Sequence, residues 1–301
     1  MVKCCLINAL ILASTMQGQT HESGDLYPPA IQSFDPLHQR SVGYNSAGIK
    51  IASRRGTPDA LVVAKSGITT VIPLPEELAQ VDSITGAGGS RVVVKGMVNG
   101  SGAEIVVFDW KREKITDRFL CYLPEVSPGG RRVAFIKFYP THSAIGIDHY
   151  MIYDVSQSAI NNRPTGISAK DWVNTGKPIY PLGASNEPGD NLDKPLEVQY
   201  RSASRLFWSA DGANLVFAVR VGTELSMVWA KVSEGAAPEV KTVPLDTRSV
   251  CDQTSHDDTR QCPVLVTEVV IESGRSPSVT ARLTVIGHRT DLVTHRYSEF
   301  R

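Results

Sequence analysis

Short runs of β-branched and aromatic residues recur along the chain, and each follows a glycine turn. Gly86-Ala87-Gly88-Gly89 leads into Val92-Val93-Val94, and Ser127-Pro128-Gly129-Gly130 leads into Val133-Ala134-Phe135. Ser209-Ala210-Asp211-Gly212 leads into Leu215-Val216-Phe217, and Asn45-Ser46-Ala47-Gly48, before Ile49-Lys50-Ile51-Ala52, is a weaker copy. A second run answers each of these: Ala60 to Ala64, Glu104 to Asp109, Tyr150 to Asp154 and Ser226 to Ala230. Continuous apolar runs of this kind suit strands buried on both faces. No 3.6-residue apolar rhythm accompanies them, so helices are not expected. Further strand-like runs lie at Val264 to Ile271, Ser278 to Ile286 and Leu292 to Tyr297.

The turn glycines Gly48, Gly89, Gly130 and Gly212 stand 41, 41 and 82 residues apart, the last interval being twice the first. A period near 41 built from short strands predicts a β-propeller. The expected fold is therefore all-β, a propeller of five to six blades of about 41 residues. A sandwich with regular strand spacing is the competing all-β architecture. Asp211, ahead of its glycine, reads as a turn residue bonding back to the backbone and not as a catalytic acid.

The rhythm breaks between residues 160 and 200. Pro164, Pro178, Pro181, Pro188 and Pro195 forbid a long helix there. This is either a degenerate blade or an irregular insertion, and long loops of that kind are commonly functional. Trp172, Tyr180 and Tyr200 are its candidate partner-binding aromatics. Packing of the loop onto the propeller is the alternative reading.

Ser127-Pro128-Gly129-Gly130-Arg131-Arg132-Val133-Ala134-Phe135 and Phe207-Trp208-Ser209-Ala210-Asp211-Gly212 resemble the Ser-Pro-Asp-Gly-Lys-x-Ile-Ala-Phe signature of WD40-like propeller repeats. Such repeats occur in TolB-type periplasmic proteins and in the N-terminal propellers of prolyl-oligopeptidase-like enzymes. Gly129 replaces the Asp in one copy and Ala210 the Pro in another, and the earlier copies keep only the glycine and strand. The resemblance covers roughly residues 44 to 245 and implies the fold, not an activity.

Residues 1–18 have the layout of a secretory signal peptide, with Lys3 before an apolar stretch from Cys4 to Ala13 and a small Gly18 at the end. A buried N-terminal strand is the alternative. The expected organisation is a leader at 1–18, a lead-in segment at 19–43 and one propeller domain at 44–301. The expected location is secreted or periplasmic, with no membrane span in the mature chain. In that compartment Cys251 and Cys262, bracketing a polar loop, are expected to form a disulfide. A zinc site at these cysteines with His256 lacks a fourth ligand. Cys121, between Leu120 and Tyr122, reads as a buried free thiol.

Lys plus Arg equals Asp plus Glu, 31 each, which gives no reason to expect nucleic acid as a partner. No Gly-x-Ser-x-Gly elbow, His-Glu-x-x-His, phosphate-binding loop or Rossmann fingerprint occurs. Tyr139-Pro140-Thr141-His142 and Asp148-His149 hold catalytic residue types, but ordinary exposed hairpin histidines are the simpler reading. No catalytic residue, metal or cofactor is expected. The favoured function is an exported, monomeric, non-catalytic propeller that binds a protein, peptide or glycan. The alternative is a glycoside hydrolase on a five-bladed propeller, which needs central carboxylates.

Overall fold

The structure, a computed structural model, describes residues 43–46, 49–54, 59–76, 78–98, 102–137, 149–157, 176–181, 200–234, 236–247, 264–272, 278–285 and 293–297. Within them the chain is all-β, with one turn of 3-10 helix at Val155–Gln157. The first sheet holds β1 (Gly43–Ser46), β2 (Ile49–Arg54), β3 (Ala60–Lys65) and β4 (Ile68–Pro73), antiparallel and in chain order. The second holds β5 (Gln80–Gly86), β6 (Arg91–Met97), β7 (Ala103–Asp109), β8 (Lys114–Val126), β9 (Arg132–Lys137), β10 (Tyr150–Asp154) and β11 (Lys177–Tyr180), again in order.

In the third sheet β12 (Tyr200–Ser202) and β13 (Phe207–Trp208) both pair with β14 (Asn214–Val221). β15 (Glu224–Lys231) and β16 (Glu239–Pro244) follow. The fourth sheet is β17 (Val264–Glu272), β18 (Ser278–Val285) and β19 (Val293–Tyr297).

The second sheet is two four-strand sets that share one strand. β8 runs for 13 residues, and its Cys121 stands opposite both Ala103 on β7 and Lys137 on β9. β7 pairs with β8 only as far as Cys121, after which β8 belongs to β9. A register shift between Tyr122 and Glu125 and a left-handed Leu123 (φ 46°) mark the handover. A leucine in that conformation carries roughly 1–2 kcal/mol of strain.

The sheets stack in chain order through four apolar layers. Successive residues of a strand point to opposite faces, and the central strands feed two layers each. On β6, Val92 and Val94 join Ile51, Leu61 and Val63 of the first sheet, while Val93 faces Phe119, Phe135 and Met151. On β9, Val133 and Phe135 stay in that second layer, and Ala134 and Ile136 turn to Leu215 and Phe217 of the third sheet. On β14, Val216 and Ala218 face Val266 and Val279 of the fourth. This two-sided burial is why the runs read as continuous rather than alternating. It is the finding that favours stacked sheets over a two-sheet sandwich.

The repeat holds at the level of individual hydrogen bonds. The Gly130 N–H donates to the Ser127 carbonyl at 2.8 Å, and Gly212 N–H to Ser209 at 2.8 Å. The buried Ser127 and Ser209 hydroxyls accept the N–H of Arg132 at 3.0 Å and of Asn214 at 2.9 Å. Asp211 accepts the Ala213 N–H at 2.9 Å and the Ser209 hydroxyl, the turn role expected of it. The described marker glycines Gly89, Gly130 and Gly212 have φ of 58°, 68° and 67°. Gly48 lies outside the described residues. Neighbouring turns also nest: a side chain on Gly130 would meet the Gly86 carbonyl oxygen at 2.2 Å. Arg132 extends across to the carbonyls of Gly212 and Val232 at 3.2 and 3.3 Å, so this arginine ties one strand set to the next.

Candidate functional site

Stacking in chain order brings β1 against β5. Tyr44 of β1 lies over Gly86 of β5, where a Cβ would meet its ring at 2.5 Å. Further along the stack, charged side chains meet across sets that are far apart in sequence. Lys95 of β6 points its Nζ at the Pro124 carbonyl (3.4 Å) and at the Glu125 carboxylate of β8 (3.8 Å). Arg205, between β12 and β13, approaches the other oxygen of Glu125 at 3.5 Å. The Trp208 indole N–H donates to the Glu125 carbonyl at 3.0 Å. Leu123 sets this arrangement up, since its left-handed turn swings Pro124 and Glu125 toward β6 and β13.

Asp82 of β5 extends the array. It accepts from the Gln80 amide at 3.1 Å, and partial burial raises its carboxyl above the usual range, with the Lys95 charge opposing that rise. The order Asp82, Lys95, Glu125, Arg205 alternates in sign. Glu125 is about a quarter exposed and Arg205 69 % exposed, so the array opens toward solvent at its Arg205 end.

A different pair is sealed inside the stack. Arg118 of β8 and Glu104 of β7 meet at 2.8 Å with Glu104 1 % exposed. Asp117 nearby accepts the Tyr153 hydroxyl at 2.7 Å. Both are cross-strand fastenings without access to a ligand. Cys121 is a buried free thiol, as expected, and burial together with the Glu104 charge pushes its ionisation well up.

Of the aromatics expected at the irregular segment, Trp172 lies outside the described residues. Tyr180 sits on β11 and is buried, edge-on to Tyr200 of β12 at 5.1 Å and to Phe217 at 6.0 Å. Burial pushes its hydroxyl up to about 12, aided by Tyr200 and opposed by Thr242. Tyr200 is half-buried against the same layer. Cys251, Cys262, His256, His142 and Asp148 also lie outside the described residues.

His149 corrects the reading of exposed hairpin histidines: it is buried, 3 % exposed. Its carbonyl accepts the Lys137 N–H at 2.8 Å, which prolongs the β9–β10 ladder and draws the residue inside. Among the described residues no three His, Cys, Asp or Glu side chains are grouped to hold a metal ion. No helix among them is long and apolar enough to cross a membrane.

Lys95, Glu125 and Arg205 escape sequence reasoning because 30 and 80 residues separate them and no motif spacing links them. The one local signal was their position next to repeat strands.

No family model matches the chain, and no curated protein does. Among solved structures the chain is similar to a prolyl endopeptidase (TM-score 0.43, 10% identity, 86% of this chain and 34% of that one). It is similar to oligopeptidase B from Leishmania major (TM-score 0.38, 10% identity, 81% and 30%) and to the Dos1 propeller (TM-score 0.37, 9% identity, 78% and 49%). The chain thus spans about a third of the length of the two peptidases. At TM-scores below 0.5 such likenesses bear on neither activity nor partner.

Proposed function

We propose that the chain is an exported, non-catalytic β-propeller of five to six blades that binds a protein, peptide or glycan at its inner edge. Three features support the propeller reading: the 41-residue spacing, the antiparallel strand sets that follow chain order, and the two-sided burial of their central strands. The observation that carries the binding reading is the solvent-facing charge array of Asp82, Lys95, Glu125 and Arg205, assembled from three strand sets around a strained Leu123. Strain held beside exposed polar groups is a mark of functional sites.

The glycoside hydrolase alternative needs two carboxyls set apart for acid and base work. The inner-edge carboxylates described here instead each face a cation, Lys95 for Asp82 and both Lys95 and Arg205 for Glu125. That distribution favours recognition over catalysis.

The test is to probe the full chain on peptide and glycan arrays and, separately, with a panel of aryl glycosides. Saturable binding without turnover, lost in a Lys95→Ala, Arg205→Ala double variant, supports the reading. Glycoside turnover abolished by Asp82→Asn or Glu125→Gln refutes it.

A further inference from the structure

β4 ends the first sheet, and among the described residues no strand pairs with its outer side. Its ladder with β3 fixes which groups that side presents. The Leu74 N–H donates to the Asp59 carbonyl at 2.7 Å, so residues 59 and 74 form a hydrogen-bonded pair. In an antiparallel ladder such pairs alternate with pairs that exchange no bond. Leu61 stands opposite Ile72, Val63 opposite Thr70 and Lys65 opposite Ile68, so the main-chain groups of these three β4 residues turn to β3. Those of Thr69 and Val71 turn outward. Glu113 accepts the Thr70 hydroxyl at 3.1 Å, which ties β4 to the second sheet through a side chain and leaves the outward main-chain groups free.

This edge is also unguarded. Exposed strand edges are ordinarily protected by charge or proline. β5, β11, β12, β16, β17 and β19 also end their sheets, and each carries a charged residue, while β1 is covered by β5. β4 reads Ile-Thr-Thr-Val-Ile-Pro, with no charge and its proline last. Ile68 is 70 % and Val71 42 % exposed, two of the three large hydrophobics exposed among the described residues.

A second copy of the same strand fits it. Residues 68–72 read almost the same in reverse, Ile-Thr-Thr-Val-Ile against Ile-Val-Thr-Thr-Ile. A two-fold axis at Thr70 sets Thr69 opposite Val71 of the second copy, and these are the residues whose main-chain groups face outward. It sets Ile68 opposite Ile72 of the second copy, so every facing pair is β-branched, a favourable cross-strand combination. Both exposed side chains, Ile68 and Val71, are covered in the same step. An axis at Val71 would instead set Thr69 opposite Pro73, which has no N–H to donate.

We propose that the chain forms a two-fold dimer by antiparallel pairing of β4 with β4 of a second copy, centred on Thr70, which joins the two first sheets into one continuous sheet. This goes beyond the binding-module reading and replaces the monomer expected from the sequence. One strand edge makes a small interface, so the association is weak and depends on concentration. Pairing uses up the outward groups of both copies, so assembly stops at the dimer.

The experiment is sedimentation velocity on the full chain over a concentration series, with amide hydrogen exchange of Thr69 and Val71 at its two ends. The expected result is a passage from monomer to dimer within about 1–100 μM, with both amides slowing as the dimer fills. Thr69→Lys, at an exposed position, places a like charge from each copy beside the axis and is expected to weaken association at least about tenfold. Val71→Pro removes an N–H that β3 does not use, and is expected to abolish the dimer while the strand stays in its sheet. A monomer across the whole series overturns the proposal, as does a dimer whose dissociation constant neither variant changes. Growth beyond the dimer overturns it too. Slow exchange of Thr69 and Val71 in dilute monomer shows that a strand of the same chain holds the edge, and likewise overturns it.

Discussion

Replacing Gly130 with alanine separates the nested turns from ordinary turn strain. Three glycines with left-handed backbone allow the comparison: Gly129 (φ 79°), Gly130 (φ 68°) and Gly212 (φ 67°). Alanine at any of them meets left-handed strain of about 1 kcal/mol. At Gly129 a Cβ has nothing within 4 Å, and at Gly212 its nearest neighbour is the Pro128 oxygen at 3.4 Å, an ordinary contact. At Gly130 the Cβ falls 2.2 Å from the Gly86 oxygen and 2.7 Å from its carbon, and both are main-chain atoms of the preceding set. The two turns must part by about 1 Å, which adds an overpacking cost of about 1–3 kcal/mol.

The expected ranking in unfolding free energy from urea titration is therefore Gly129→Ala and Gly212→Ala each down by about 1 kcal/mol, and Gly130→Ala down by about 3 kcal/mol. By calorimetry the last corresponds to a loss of roughly 6–12 °C in Tm. Gly130→Ala no worse than Gly129→Ala would show that the turns do not nest, and with it that consecutive strand sets are not stacked this way.

Further outcomes follow from the packing. Phe217→Ala removes a fully buried ring stacked on Tyr150 at 4.0 Å and is expected to cost about 3–5 kcal/mol in denaturant unfolding. Glu104→Gln is expected to cost about 3 kcal/mol, and a Glu104→Gln, Arg118→Met double variant less than the sum of the two singles, measured as a double-mutant cycle. Cys121 is expected to resist a thiol reagent at pH 8 in the native protein and to react at once in denaturant, and rapid native labelling contradicts its burial.

Asp82 binds its proton more tightly folded than unfolded, so it lowers stability as pH rises from below its usual value of 3.8 through its raised folded value. Asp82→Asn is then expected to stabilise the protein more at pH 7 than at pH 3. The opposite ordering refutes the raised carboxyl.

Much of the architecture is legible in the chain because it depends on local signals. The expected runs at Glu104 to Asp109, Tyr150 to Asp154 and Val264 to Ile271 coincide with β7, β10 and β17 to within a residue at each end. The glycine spacing marks turns whose left-handed φ values recur because tight connections demand them. The joining of two sets through β8 was not legible, since Cys121 pairs on both sides only after folding. The buried state of His149, whose main chain pairs with Lys137, is likewise not readable from its residue type. The inner-edge array depends wholly on long-range stacking. Residues 95, 125 and 205 become neighbours only when three sets stack.

The measurement that bears most directly on the account is a crystal structure of the full chain. The account predicts strand sets arranged about a common axis, with Asp82, Lys95, Glu125 and Arg205 together on a solvent-facing inner edge. A chain whose sets pack as two facing sheets, or whose Glu125 pairs lie far from any common edge, contradicts it.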